Sequence, residues 1–440
     1  MTANASRNPD PALEETSQPG LGKMRVWWSG VQPSALVSAQ QKVLKDTPAS
    51  NAHSQLFGSP GARLNTVDLP GPVGSEEHPP LVLLHGFGTG LGIWARQLKD
   101  LTEDSRVIAV DLPGMGGSER APFHGQTEEE AEEYFLEAIE MWRQDMGLGQ
   151  MVLVGHGLGG YLAAAFALKY PQYIAHLVLV SPQGLTSIDA AHDASATPAM
   201  AVLWSRGITP QCLCRWGGRL LGPGVVSRYV DSRFEGEPTF WRQALSQYLY
   251  AAWASPSDAE LAVTRLLPLT GQPAHPLQER LRKLKAGVVF VYGHYDWSEH
   301  KAADELIPRL SVSGSVALLA NAGHYPFVDN APKFNALLQR LMFVTRARKD
   351  GFQVGLHPLE PTPPGSGNAS ARSMVSNNKS LAEEEGAAGS QAESLAGASE
   401  QAHVRARGLG EHVGVHEGVH EGEGVGPQHV GQQVGELYLL

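Results

Sequence analysis

The sequence predicts an α/β domain: a mostly parallel central sheet with helices on both faces and a helical insertion between two of the later strands. Three observations carry this expectation. Short continuous apolar runs, "PLVLLHGF", "RVIAVDLPG", "QMVLVGH" and "AHLVLVSP", alternate with amphipathic stretches, the pattern of strands buried on both faces. That alternation stops between about 186 and 285, where the chain turns helical and carries several Trp, Arg and Pro residues. It resumes with "GVVFVYGHYDW" and "SVALLANAGHYPFVDN".

Taken in order, the first 23 or so residues are polar and expected to be disordered. They have neither the apolar core of a secretory signal nor the Arg-rich, acid-poor character of a transit peptide. Pro33 suits the first turn of a helix on which Leu36, Ala39, Val43 and Leu44 share a face. Trp27 and Trp28 precede that helix, and two readings stay open for them. They are membrane-binding residues at a lipid interface, where an apolar ring with a polar N–H is at home, or they cover the core. The sheet begins near 62 with "RLNTVDL". Thr127 and Glu130 then form a capping box, opening a helix with Ala131, Tyr134, Phe135, Ala138, Ile139 and Trp142 at helical spacing. A last helix presents Phe334, Leu337, Leu338 and Leu341, and the core is expected to end after Val344. The expected division is an N-terminal segment with its helix (1–61), a core (62–185), a helical cap (186–285), the rest of the core (286–344) and a disordered tail (345–440).

Composition narrows the function. A net charge of -11 over 440 residues argues against a nucleic-acid partner, which normally meets a basic face. Cys212 and Cys214 are too closely spaced to staple a fold, and no further ligands accompany them, so no metal site is expected there. Nor is one expected in the tail, where His416 and His420 lie among glycines. No run approaches the ~18 apolar residues of a spanning helix. The expected location is cytoplasmic, in solution or on a membrane surface.

The chemistry concentrates in three places. Gly155-His156-Gly157-Leu158-Gly159 has the strand, tight turn and helix of a nucleophile elbow, with Gly157 where a serine belongs. Asp296 follows the next core strand, in the position of the acid, and His324 follows the last strand, in the position of the general base. The backbone N–H groups of Phe87, in "LLHGFG", and of Leu158 stand where oxyanion donors belong. Each feature alone is weak, but their order and strand contexts together predict the α/β-hydrolase fold. Ser118 and Ser181 are displaced from the turn that aims a nucleophile, and His156 is adjacent to it but with a different side-chain direction, so none is expected to replace the missing serine.

Over about residues 24 to 343 the chain resembles the α/β-hydrolase-domain four/five subfamily of lipid-metabolism proteins, especially plant and algal members. The phrases are "VGHGLGGYLAAAFALKYP", "HLVLVSPQGL", "GITPQ", "SRYVDSRF", "YGHYDW" and "GHYPFVDN". The last contains His324-x4-Asp329, a pattern the subfamily links to lysophosphatidic acid acyltransferase activity. The resemblance implies an acyl-glycerolipid or lysophospholipid as ligand, lipid-droplet association, and either lipase chemistry, acyl transfer or co-activation of a partner lipase. Acyl-CoA is implied only as a co-substrate, and no cofactor is expected. His324 is then either a triad base or the partner of Asp329 in deprotonating an acceptor hydroxyl. Asp329 has a structural alternative, helping to start the last helix.

Without a side chain at Gly157 no acyl-enzyme forms there, and losing a triad nucleophile typically removes a factor of ~10⁶. The leading expectation is a regulatory protein of lipid homeostasis on a disabled hydrolase frame. The rival is an enzyme using His324, as a lysophosphatidic acid acyltransferase or a weak ester hydrolase.

Overall fold

The computed structural model describes residues 31, 33–50, 54–185, 198–269, 275–298 and 300–350, all within one compact unit. Trp27, Trp28, His416 and His420 lie outside the described residues, as does the rest of the tail beyond 350.

The described strands form one eight-stranded sheet in the order β1-β2-β4-β3-β5-β6-β7-β8. They are β1 (Gln55–Phe57), β2 (Leu64–Leu69), β3 (Leu81–Leu84), β4 (Val107–Val110), β5 (Met151–His156), β6 (Ile174–Val180), β7 (Val288–Gly293) and β8 (Gly314–Leu319). From β4 through β8 every pairing is parallel, while β2 pairs antiparallel with both β1 and β4. The apolar runs sit centrally because each is covered on both sides: Leu81 and Leu83 of β3 face one core, and Val82 and Leu84 face the other. Strand β1 was not among the expected elements. It is a three-residue edge strand whose side chains are only half-buried or exposed, so it has no hydrophobic pattern to read.

The helices follow the sequence closely. α1 (Pro33–Val43) buries Ala39, Val43 and the following Leu44 in the core, with Leu36 packed against them. Its apolar face is thus spent on protein contacts rather than on lipid. α2 (Ala95–Asp100) follows β3, and α3 (Glu128–Asp145) follows β4. The capping box of α3 is fully made: Glu130 N–H donates to Thr127 Oγ1 at 3.2 Å, and Glu130 Oε2 accepts from Thr127 N–H at 3.1 Å. Losing such a cap costs about 1 kcal/mol. α4 (Leu158–Lys169) is buried almost throughout, which is why its sequence is apolar on every side.

Between β6 and β7 lie α5 (Pro198–Ser205), α6 (Pro210–Arg233), α7 (Thr239–Trp253), α8 (Ala259–Leu266) and α9 (Leu277–Arg280). α6 is bent at Gly218, whose φ of 53° is not helical. After β7 come α10 (Lys301–Leu306), α11 (Pro326–Asp329) and α12 (Ala331–Lys349). α12 buries Phe334, Leu337, Leu338 and Leu341 as expected, and runs past Val344 for a further turn.

Candidate active site

The site gathers at the carboxyl ends of β3, β5, β6, β7 and β8, where open α/β sheets bind ligands. Gly157 forms the turn between β5 and α4, with φ 54° and ψ -115°. This left-handed backbone strains any side-chain-bearing residue by about 1–3 kcal/mol, which glycine avoids. Space is not the obstacle: a Cβ at Gly157 would have its nearest neighbours at 3.7 Å, on Gly86 Cα, and 4.0 Å, on Gln183 Oε1. The turn is close-packed below, since a Cβ on Gly159 would stand 2.5 Å from the His85 carbonyl oxygen.

The loop carrying Phe87 is fixed by its neighbours. Leu112 N–H donates to His85 Nε2 at 2.9 Å, so the His85 proton sits on Nδ1, which donates to Gly86 O at 2.8 Å. Thr89 Oγ1 also donates to Gly86 O, and Trp253 Nε1 of α7 donates to Gly88 O at 3.0 Å. The Phe87 ring packs edge-on against Trp204 of α5. Leu158 is the first residue of α4, so its N–H has no acceptor within the helix.

Asp296 and His324, separated by 28 residues in the chain, meet with His324 Nδ1 3.0 Å from Asp296 Oδ1. Their side chains are almost fully buried. The same Oδ1 accepts from Ser298 N–H at 3.0 Å and Ser298 Oγ at 2.8 Å, while Oδ2 accepts from the Ser181 hydroxyl. Burial works against ionisation of Asp296, but the His324 contact and the hydroxyl and amide donors outweigh it and hold the carboxyl at about 2. His324 is shifted below 6.5 because burial outweighs the attraction of Asp296. A neutral imidazole with its proton on Nδ1, toward the carboxylate, leaves Nε2 as a bare base. The Trp297 ring stacks on His324 with centroids 4.5 Å apart.

His156 joins the two halves: its Nε2–H donates to the His324 carbonyl at 2.9 Å. Burial depresses its pKa well below 6.5, so it is a neutral tie. Asp329 is not paired with His324. Its Oδ2 accepts from Gly323 N–H at 2.8 Å, which shapes the loop ahead of the histidine. It does not cap α12 either, since Asn330 holds that position and donates instead from Nδ2 to Ala320 O at 2.8 Å. The sequence reading missed Ser181 as a partner of Asp296. Its one signal was its place directly after β6, where a hydroxyl can reach the end of β7. Ser181 carries a φ of 44°, an uncommon conformation for a residue with a side chain.

An elbow, an acid after β7 and a histidine after β8, on this strand order, define an α/β-hydrolase frame. The family model described as "alpha/beta hydrolase fold" matches residues 79–210. A 1-acylglycerol-3-phosphate O-acyltransferase of Arabidopsis thaliana is 30% identical over 339 residues, covering 70% of this chain and 80% of that protein. The 1-acylglycerol-3-phosphate O-acyltransferase ABHD5 of Mus musculus is 33% identical over 318 residues, covering 70% and 89%. Among solved structures, a membrane phospholipase A described as a bacterial virulence factor superposes with a TM-score of 0.51 at 22% identity, covering 74% of this chain and 95% of that one. The chain belongs to the α/β-hydrolase family, in the ABHD4/5-type subfamily.

Proposed function

We propose that this chain works in glycerolipid metabolism by transferring an acyl group from acyl-CoA to the free hydroxyl of a lysophosphatidate, with His324 as general base. The observation that carries this reading is the buried, fully hydrogen-bonded His324–Asp296 pair beside an elbow with no nucleophile. His324 Nε2 takes the proton of the acceptor hydroxyl as its oxygen attacks the thioester carbon. The tetrahedral oxyanion is held by the N–H groups of Phe87 and Leu158. Collapse breaks the C–S bond, and the imidazolium returns the proton to the departing thiolate, releasing CoA and the diacyl product. Asp296 orients the imidazole and stabilises its charged form. The space beside Gly157, unfilled by a serine side chain, admits the acceptor instead. The names of the relatives support the same reaction class.

The lipid-surface part of this reading is supported by α6, where Leu213, Trp216, Leu220 and Leu221 are exposed around the bend at Gly218. Exposed apolar side chains grouped in this way suit a membrane or lipid droplet. Full-length protein incubated with labelled acyl-CoA and lysophosphatidate should form phosphatidate, and His324→Ala should abolish the product. A wild-type protein without turnover would sink the transferase. Gly157 itself favours a second reading, a non-catalytic regulator of a separate lipase. That reading gains if the inactive protein still binds droplets and raises the activity of an added triacylglycerol lipase.

A further inference from the structure

Arg233, the last residue of α6, is a cation near the histidine whose contacts among the described residues are the face of the Tyr325 ring and the longer-range attraction of Asp329. Among the described residues no carboxylate lies at ion-pair distance from it, and its Nε is buried without a hydrogen-bond acceptor. Its guanidinium carbon stands 5.5 Å from the centre of the Tyr325 ring, and that ring's centre is 5.4 Å from the centre of His324. The Tyr325 hydroxyl is occupied by Tyr229, 3.0 Å away. Its positive charge is felt at His324, at His156 and at Asp329. The neighbouring arginine, Arg96, is spent: one of its nitrogens pairs with Glu237 and another donates to Val328 O at 2.7 Å.

A half-buried charge with no ion pair among the described residues costs stability, and here it also disfavours the protonated histidine that catalysis must form. Both penalties fall if a bound anion sits against the guanidinium. A planar fork of N–H donors is suited to phosphate oxygens, which it grips in pairs. We propose that Arg233 binds the phosphate monoester of the acceptor lipid and so places the hydroxyl on the next carbon of the glycerol within reach of His324. The assignment deepens the acyl-transfer reading and rests on it for the identity of the acceptor. It favours the acceptor over the donor as the source of phosphate. The phosphates of acyl-CoA lie a long pantetheine arm away from the thioester, whereas in lysophosphatidate phosphate and hydroxyl are on adjacent carbons. Arg233 and His324 both pack against the Tyr325 ring.

The test compares a short-chain, soluble lysophosphatidate with the monoacylglycerol of the same chain, using equilibrium binding to the full-length protein so that turnover is not needed. Wild type should bind the phosphate lipid at least about tenfold more tightly, and inorganic phosphate should compete for that advantage. Arg233→Gln should erase the preference while leaving monoacylglycerol binding unchanged. Arg233→Lys, which keeps the charge but not the fork, should retain part of it and serves as the working variant if Arg233→Gln does not fold. A preference that survives Arg233→Gln to within about twofold, or a wild type with no preference, overturns the proposal. So does a defect confined to the KM for acyl-CoA, which would assign the arginine to the donor. An Arg233-dependent preference in a protein that shows no acyl transfer upholds the phosphate site and rejects the transferase reading alone.

Discussion

The two halves of the site differ in how much they retain. On the elbow side the reacting side chain is gone, and Gly157 rests in a turn that costs glycine little. On the histidine side every part stays assembled: the carboxylate accepts from His324, Ser181 and Ser298, and the whole is buried. That assembly is expensive to keep. A carboxylate away from water needs its partners, and Ser181 adds about 1–3 kcal/mol of backbone strain to supply one of them. A frame that served only as a scaffold could replace the buried acid, base and hydroxyl with apolar side chains at little cost. The contrast therefore separates two jobs that a serine hydrolase combines, covalent attack and proton transfer, and in the function proposed above only the second is in use.

The largest expected effect tests that separation directly. His324→Ala should lower acyl transfer by ~10²–10⁴, the usual contribution of a positioned acid–base group, while the thermal midpoint moves little by comparison. Asp296→Asn should fall in the same range, because it leaves the imidazole wrongly oriented. If both variants transfer acyl groups at wild-type rates, the histidine side is ornamental and the comparison breaks. The converse experiment refills the elbow. Gly157→Ser has room for its Cβ, so the new hydroxyl should react with a fluorophosphonate probe that leaves the parent unlabelled. The left-handed turn should charge about 1–3 kcal/mol for the side chain, read as a lower unfolding midpoint in urea. A correctly folded Gly157→Ser that fails to label would mean that base and donors no longer converge on the elbow.

Much of this frame was legible in the sequence, and the reasons are physical. Strands buried on both faces leave continuous apolar runs, and the capping box of Thr127 and Glu130 is local chemistry, so both are visible without a fold. Gly157, Asp296 and His324 were legible because each follows a strand in a fixed order. Ser181 and Arg233 were not, because their importance comes from contacts across 115 residues for the serine and from a buried Nε with no acceptor among the described residues for the arginine. An unmet donor has no sequence pattern at all. Asp329 was ambiguous for a related reason: a carboxylate ahead of a helix looks like a cap, and only the fold shows it serving the loop behind it.

Acid sharpens the comparison at the level of stability. His176 is buried and held neutral, with its pKa pushed down to about 4 by burial and, secondarily, by Arg348. The unfolded chain takes up that proton near 6.5, so between 6.5 and 4 the unfolded state binds more protons and stability falls as pH falls. For His176 alone the full loss is about 3 kcal/mol. His85, His156 and His324 are shifted in the same direction. Asp296 acts over a lower window, since its depressed carboxyl adds stability above about 4 that is lost only toward 2. Unfolding midpoints should therefore drop steeply from pH 7 to 5, and His176→Asn should flatten that slope. Activity should decline over the acid limb with a midpoint below 6.5, as His324 becomes protonated. An acid limb centred above 7 would remove His324 as the base.

The smallest effect concerns Asp329, for which sequence and structure give different jobs. If it were a second member of the proton-transfer pair, Asp329→Asn should cost as much as Asp296→Asn. The structure has it accepting from the Gly323 amide, and its carboxyl is pushed upward because burial outweighs that hydrogen bond and the attraction of Arg233. Asparagine keeps an oxygen acceptor of nearly the same shape, so the loop should hold. We expect less than a tenfold loss of kcat and a stability change of about 1 kcal/mol, the ordinary worth of one hydrogen bond. Asp329→Ala removes the acceptor as well and should loosen the loop carrying His324, raising the loss without changing the pH midpoint. A pH midpoint that moves in Asp329→Asn, with the loop intact, would return Asp329 to the proton path and extend the retained half of the site by one residue.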